Sequence, residues 1–425
     1  MHLRPRLKKF GLLGSLYLSQ FVPFWFLYQA LPILLRQKGM SLEAIGLLPA
    51  ILLPISLKFL WSPFIDAYGF TRWGHYRFWI ICFQLWVAGV TVFCGFLSVE
   101  ENLPLLLVGL LLIAIGSGSQ DIATDALAVR LLNPEERGAG NAVQGIGGAI
   151  GRTIGGGGML ILLNRWGWRS SLLSLAAITI AALVPLLFYR EPVELKSRRT
   201  QHKFSLHPKF WLRSAIAYVK IFIETCQRPG IKSWLAILAL MTAGYNLSAT
   251  MFRPLLVDIG WSLEEIGWLL GVFGMTMTIF GSLVAGSLVS KIGRKRSFLV
   301  ALSLTTVGIL TQVLPTLGWT QPPILYGIVS LSFFAMGITG TTTFTIMMDN
   351  SRRDMAATDY TLQTSVIPLC SILSAALSGS IAGAIGYRSV FLISAAILIG
   401  CIGFVYRSLA IFEGDRVGVG RETMG

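Results

Sequence analysis

The sequence predicts an all-α polytopic membrane protein: twelve transmembrane helices in two pseudo-symmetric six-helix bundles. Three observations carry this. First, 54% of the 425 residues are hydrophobic and 13% are charged, so a water-soluble chain of this length would lack the polar surface to cover its core. Second, the apolar residues gather in twelve runs, each near or above the roughly 20 residues needed to cross a bilayer as a helix. Third, a segment repeats: PILLRQKGMSLEAIG begins at Pro32 and PLLVDIGWSLEEIG at Pro254. An offset of 221 or 222 residues places run 1 on run 7 and run 2 on run 8, as an internal duplication would.

In chain order the runs cover residues 10–35, 42–66, 78–98, 105–131, 139–163 and 170–189, then 233–257, 263–289, 297–317, 322–347, 360–385 and 388–408. The basic start, MHLRPRLKKF, leads into a run with no small-residue cleavage signal, so it is read as a first span and not a removable signal peptide. Of the 35 Lys and Arg, 27 fall on the side of the termini, five on the other side, and three (Lys58, Arg152, Arg253) inside runs. That asymmetry predicts cytoplasmic termini. Residues 190–232 carry ten of the basic residues, and 210–222 alternates apolar and basic positions at helical spacing. A surface-lying amphipathic linker is expected there. The predicted domains are therefore 1–189, a linker at 190–232, and 233–425.

Composition also excludes classes of function. A net charge of +15 could suit nucleic acid, but the basic residues sit in short loops between apolar runs, so no nucleic-acid partner is expected. The lipid bilayer is the implied partner. Cys82, Cys94, Cys226, Cys370 and Cys401 show neither disulfide nor metal spacing, and no metal or cofactor is implied. No His–acid pair, nucleophile elbow or P-loop is present, so no catalytic residue is assigned and the chain is not read as an enzyme.

The stretch that stands out is 119–152, SQDIATDALAVRLLNPEERGAGNAVQGIGGAIGR. Ser117, Asp121 and Asp125 recur every four residues, one polar stripe on a helix. Asn141, Gln144, Gly148 and Arg152 form a second stripe on the next run. A charge at mid-membrane costs roughly 2.5 to 3.5 kcal/mol, so these groups should face protein or a water-filled cavity. Lys58 lies at similar depth to Asp121, and the two could neutralise one another. Arg152 offers a guanidinium for a carboxylate, while Arg253 either binds substrate or snorkels. Tyr17, Gln20, Trp25, Tyr28 and Gln29 on run 1, with Tyr245 and Asn246 on run 7, are candidate cavity-lining groups. Gln363 corresponds to Gln144 across the repeat. All four histidines lie outside the runs, so proton coupling within the membrane would fall to Asp121 or Asp125.

The loop after run 8, GSLVSKIGRKR from Gly286 through Gly293 and Arg294, resembles the signature loop of the major facilitator superfamily, with Ser290 where an acid is usual. The first-half copy keeps the acid as Asp66 and the glycine as Gly69. The resemblance implies the major facilitator fold and a gating latch between the halves. LKFLWSPFID (57–66) and SQDIATDALAVRLLNPEERGAGNAVQ (119–144) together resemble the AmpG-like muropeptide permeases and their wider group, which includes acetyl-coenzyme A transporters. GNAVQGIGGAIGRTIGGGGMLILLNRWGW (140–168) and TDYTLQTSV (358–366) look more like bacterial siderophore permeases.

The combined expectation is a monomeric secondary transporter of the bacterial inner membrane. It imports a small anionic organic solute with protons, a ferric siderophore first and a muropeptide or other conjugate second. The siderophore is placed first because Arg152 and the aromatics of run 1 suit a metal chelate with an apolar edge and negative charge, whereas a muropeptide would want more hydrogen-bonding side chains than runs 1 and 7 display. From other classes, the rivals are a membrane-embedded sensor or transferase.

Overall fold

The computed structural model describes residues 3–27, 31, 53–69, 73–99, 101–191, 220 and 222–408. Among these residues every regular element is helical and none is a strand. The physical reason is the solvent: inside lipid each backbone N–H and C=O must find a partner within its own segment, and a helix achieves this. The chain is an all-α, membrane-spanning protein.

The elements used below are α1 (Leu3–Trp25), α2 (Leu53–Leu57), a 3-10 turn (Lys58–Leu60), α3 (Ser62–Ala67), α4 (His75–Gly95), α5 (Leu103–Leu131) and α6 (Arg137–Arg152). A wide turn at Thr153–Gly158 leads into α7 (Met159–Ala181) and α8 (Val184–Phe188). Then come α9 (Ile231–Asp258), α10 (Leu263–Ile266), α11 (Gly274–Ile292), α12 (Arg294–Thr311), α13 (Pro322–Asp349) and α14 (Ala356–Arg407). Proline opens α5 and α13, where a missing N–H costs nothing.

Among the described residues, eight helical stretches are long and apolar enough to cross a membrane. Two of them contain a break and account for two predicted runs each. Gly167 in α7 (φ 74°) and Gly386 in α14 (φ 80°) hold a left-handed φ that a side chain would strain. The breaks recur in sequence, as Gly-Trp-Arg-Ser at 167–170 and Gly-Tyr-Arg-Ser at 386–389. Run 1 is described through α1 and run 2 from α2 onward; the start of run 2, the first copy of the repeated segment and most of the linker lie outside the described residues.

The chain forms two compact units. Unit 1 comprises Met1–Leu132, Ile146–Leu212 and Arg352–Thr361; unit 2 comprises Asn133–Gly145, Arg213–Ser351 and Leu362–Gly425. In unit 1, α4 packs against both α5 and α7. Val22, Phe26, Val87, Leu110, Leu172 and Leu175 form the centre of its core. In unit 2, α13 packs against α11 and α12. A Cβ at Gly281 would strike the Phe334 carbonyl and one at Gly337 the Thr278 carbonyl. Small residues therefore set this spacing, which matters in lipid because close packing, not water exclusion, holds helices together.

Candidate functional site

Unit 1 contains a buried charged cluster, assembled from α1, the 3-10 turn and α5. The Ser117–Asp121–Asp125 stripe faces inward: Ser117 is 4% exposed and Asp125 2%. Lys58, 6% exposed, forms an ion pair with Asp121 Oδ2, and Gln20 Nε2 donates to Asp121 Oδ1. One turn further along α5, the Tyr17 hydroxyl donates to Asp125 Oδ1 at 3.2 Å. The 3-10 turn brings Lys58 to this depth, in the middle of a run that composition alone would read as plain helix.

Around the cluster lies a layer of neutral hydrogen bonds. Gln120 donates to Ser19 Oγ at 2.9 Å and to Gln84 Oε1 at 3.4 Å, and Gln84 in turn donates to the Thr179 carbonyl at 2.5 Å. Trp61 Nε1 reaches Ser119 Oγ at 3.0 Å. Sequence reasoning passed over Gln84 and Gln120. A glutamine within an apolar run is itself a signal, since its amide must be satisfied away from water.

Arg152 ends α6, with its guanidinium carbon 3.9 Å from the centroid of the Trp25 ring. This cation–π contact holds the charge against an aromatic face. The neighbouring glycines permit it: a Cβ at Gly151 would meet Phe21, and one at Gly155 the Val22 carbonyl. Tyr28 and Gln29 lie outside the described residues.

The remaining candidates belong to unit 2. Gln144 is 5% exposed, and its Oε1 has no hydrogen-bond partner among the described residues. Gln363, its repeat counterpart, is tied into the fold instead: Trp234 Nε1 donates to its Oε1 at 2.7 Å, and its Nε2 donates to the Met347 carbonyl and Ser351 Oγ at 3.2 and 3.1 Å. Tyr245 contacts Met336 Sδ at 2.8 Å, Asn246 donates to the Thr242 carbonyl at 3.0 Å, and Arg253 is exposed on α9.

Two groups organise the signature-loop residues. In unit 1, Asp66 accepts from the Tyr76 hydroxyl at 2.6 Å and from Ala357 N, Thr358 N and Thr358 Oγ1 at the start of α14. Arg130 lies 4.4 Å over the Tyr76 ring and donates to the Arg353 carbonyl at 2.9 Å. Glu191 accepts from Arg77 N at 3.0 Å at the start of α4, and burial pushes its carboxyl up. In unit 2, Gly293 (φ 82°) separates α11 from α12, and Gly286 backs onto Gly138. Arg294 pairs with Asp349 Oδ2 at 2.8 Å and donates to the Pro134 carbonyl at 2.5 Å; Arg137 takes Asp349 Oδ1 at 2.6 Å. Asp349 is thus shared by Arg137 and Arg294, while Ser290 Oγ turns back onto the Ser287 carbonyl at 2.8 Å.

A Haemophilus influenzae protein of uncharacterised function is 26% identical over 389 residues, 87% of each chain. A Rickettsia typhi protein bearing the name transporter AmpG 3 is 25% identical, over 94% of this chain and 97% of its own. The anhydromuropeptide permease of Escherichia coli K12 is 32% identical over 158 residues, 37% of this chain and 32% of that one. Among solved structures, the human organic anion transporter MFSD10 superposes with a TM-score of 0.72 at 16% identity, covering 95% of this chain and all of that one. The proton:xylose symporter XylE follows at 0.67 and 12%, covering 94% of each; at such identities the likeness is one of fold. The Major Facilitator Superfamily profile matches residues 13–367 and 233–417, and the chain belongs to that superfamily.

Proposed function

We propose that this chain is a permease of the bacterial cytoplasmic membrane that imports an anionic, sugar-bearing conjugate of the anhydromuropeptide class by proton-coupled alternating access. Access alternates between the bundles at 1–189 and 233–425, which the linker at 190–232 joins; both termini are cytoplasmic, and the unit that works is the monomer. The observation that carries the reading is the Arg152–Trp25 pair, a charge that recognises carboxylate beside a ring that stacks on a sugar or acyl face. The chain's relatives support the reading: the AmpG-named protein aligns along nearly its whole length, and one relative, matched over 37% of this chain, is an anhydromuropeptide permease.

The ferric siderophore expected first from sequence moves to second place. Arg152 and the aromatics of run 1 suit a chelate and a sugar conjugate alike, and the named relatives are an AmpG transporter and an anhydromuropeptide permease, not siderophore permeases. Asn141 Oδ1, Gln144 Oε1, Thr341 Oγ1 and Thr342 Oγ1 are buried on α6 and α13 without a hydrogen-bond partner among the described residues. Such unpaired polar atoms suit a cargo with hydroxyls and amides better than the count on runs 1 and 7 alone.

The test is uptake by proteoliposomes containing the purified chain under an imposed inward proton gradient, with labelled anhydromuropeptide and a panel of ferric chelates. Accumulation of the muropeptide, lost in Arg152→Ala, supports the reading. Accumulation of a chelate alone returns the siderophore to first place. Saturable muropeptide binding with no uptake points to a sensor, and chemical conversion of the ligand to a transferase.

A further inference from the structure

We propose that the coupling proton is carried by Asp125 alone, with Lys58 as a charge that moves between Asp121 and Asp125 and Asp121 as a positioning residue. This rests on the transporter reading above and decides between two carboxylates that the sequence left equivalent.

Charge compensation separates the two acids. Asp121 and Asp125 lie one helical turn apart on α5, an axial separation of about 6 Å, and the ammonium of Lys58 is within electrostatic reach of both. The two acids are compensated very differently. Asp121 has both oxygens occupied, one by Lys58 and one by Gln20, which suits a permanent anion. Asp125 is more deeply buried, and its one hydrogen bond among the described residues comes from the neutral Tyr17 hydroxyl. A buried anion with one neutral donor is the expensive partner in such a trio, and a proton removes the expense.

The geometry tolerates that proton. Tyr17 occupies Oδ1, so a proton on Oδ2 leaves the Tyr17 bond intact, with Oδ1 accepting as a carbonyl oxygen. The groups facing Asp125 are Tyr17 from α1, Lys58 from the 3-10 turn and Asp121 on its own helix; Tyr360 of α14 faces Tyr17. Nearer the end of α5, Asp66 is occupied by Thr358 and Tyr76, and Arg130 by Glu191 and the Arg353 carbonyl.

The step balances simply. Water on the outer side gives a proton to Asp125 Oδ2, and the cluster is then neutral, with Lys58 held by Asp121. On the inner side the proton returns to water, one anion is left in excess, and the flexible Lys58 stem lets its ammonium swing toward Asp125. Lys58 stays protonated throughout, so the O–H of Asp125 is the single bond made and broken.

The test needs a readout independent of cargo: infrared difference titration of the purified full-length chain in liposomes, following the C=O stretch of a buried protonated carboxyl. The band should rise on acidification, vanish in Asp125→Asn, persist in Asp121→Asn, and shift in Tyr17→Phe and Asp125→Glu. Persistence of the band in Asp125→Asn, or its loss in Asp121→Asn, overturns the proposal. Should Asp125→Asn fail to fold, an unshifted band in Asp125→Glu overturns it as well. In transport, Asp125→Asn should keep muropeptide counterflow and lose accumulation under a proton gradient. If the wild type moves no muropeptide, the function proposed above fails while the infrared result still decides the carrier.

Discussion

Thr358 donates to Asp66 twice, through its amide at 2.7 Å and its hydroxyl at 2.6 Å, and Ala357 adds a third donor at 3.0 Å. The Asp66 carboxylate therefore sits on the buried first-turn amides of α14, which have no acceptor within the helix and where the helix dipole also favours an anion. A hydrogen bond to a charged group is worth about 1.5 to 3 kcal/mol. Thr358→Val, which removes the hydroxyl donor alone, should lower the unfolding midpoint of the purified protein, and Asp66→Ala should lower it further. Once Asp66 is absent, adding Thr358→Val should cost little; fully additive losses would show that the pair does not couple.

The Lys58–Asp121 ion pair makes a second prediction. Removing one partner of a buried pair leaves an uncompensated charge, at a cost of about 3 to 5 kcal/mol. Lys58→Met and Asp121→Leu should each reduce the yield of folded protein in the membrane, and the combined variant should recover most of it. Yields that fall further in the combination would mean that the two side chains stabilise the fold separately.

The glycine-rich turn at Thr153–Gly158 allows a contrast at close range. A Cβ at Gly155 would run into the Val22 carbonyl, whereas one at Gly157 meets nothing within 4 Å. Gly155→Ala should push α1 away from this turn and lower thermal stability, while Gly157→Ala should be neutral or slightly stabilising. Equal effects on thermal unfolding would count against backbone contact as the reason for glycine at Gly155.

Arg294 engages an acid and a carbonyl together, Asp349 at 2.8 Å and Pro134 at 2.5 Å. A lysine keeps the charge but not the planar fork. Arg294→Lys is therefore expected to recover only part of what Arg294→Ala loses, measured as transport rate at matched membrane abundance. Full recovery by lysine would reduce the contact to simple charge pairing.

Topology is tested from outside the cell. With Cys82, Cys94, Cys226, Cys370 and Cys401 replaced, Thr200→Cys in the linker should resist an impermeant maleimide applied to intact cells and react after permeabilisation. Ready labelling of intact cells would overturn the orientation drawn from the Lys and Arg distribution.

By itself the sequence determined the helical, membrane-spanning class and the positions of the runs, because lipid forces any long apolar segment to satisfy its backbone as a helix. It also placed Ser117, Asp121 and Asp125 on one face, since four-residue spacing is a property of the helix alone. Only the tertiary structure decided which partner each charge receives: Lys58 goes to Asp121, Tyr17 to Asp125, Trp25 to Arg152, and Asp349 to both Arg137 and Arg294. Those pairings depend on how far each helix is rotated and at what depth its neighbour crosses it. A helix that is apolar all round carries no stripe to report its rotation, and a local break such as the 3-10 turn at Lys58–Leu60 resets it without leaving a mark in the hydropathy.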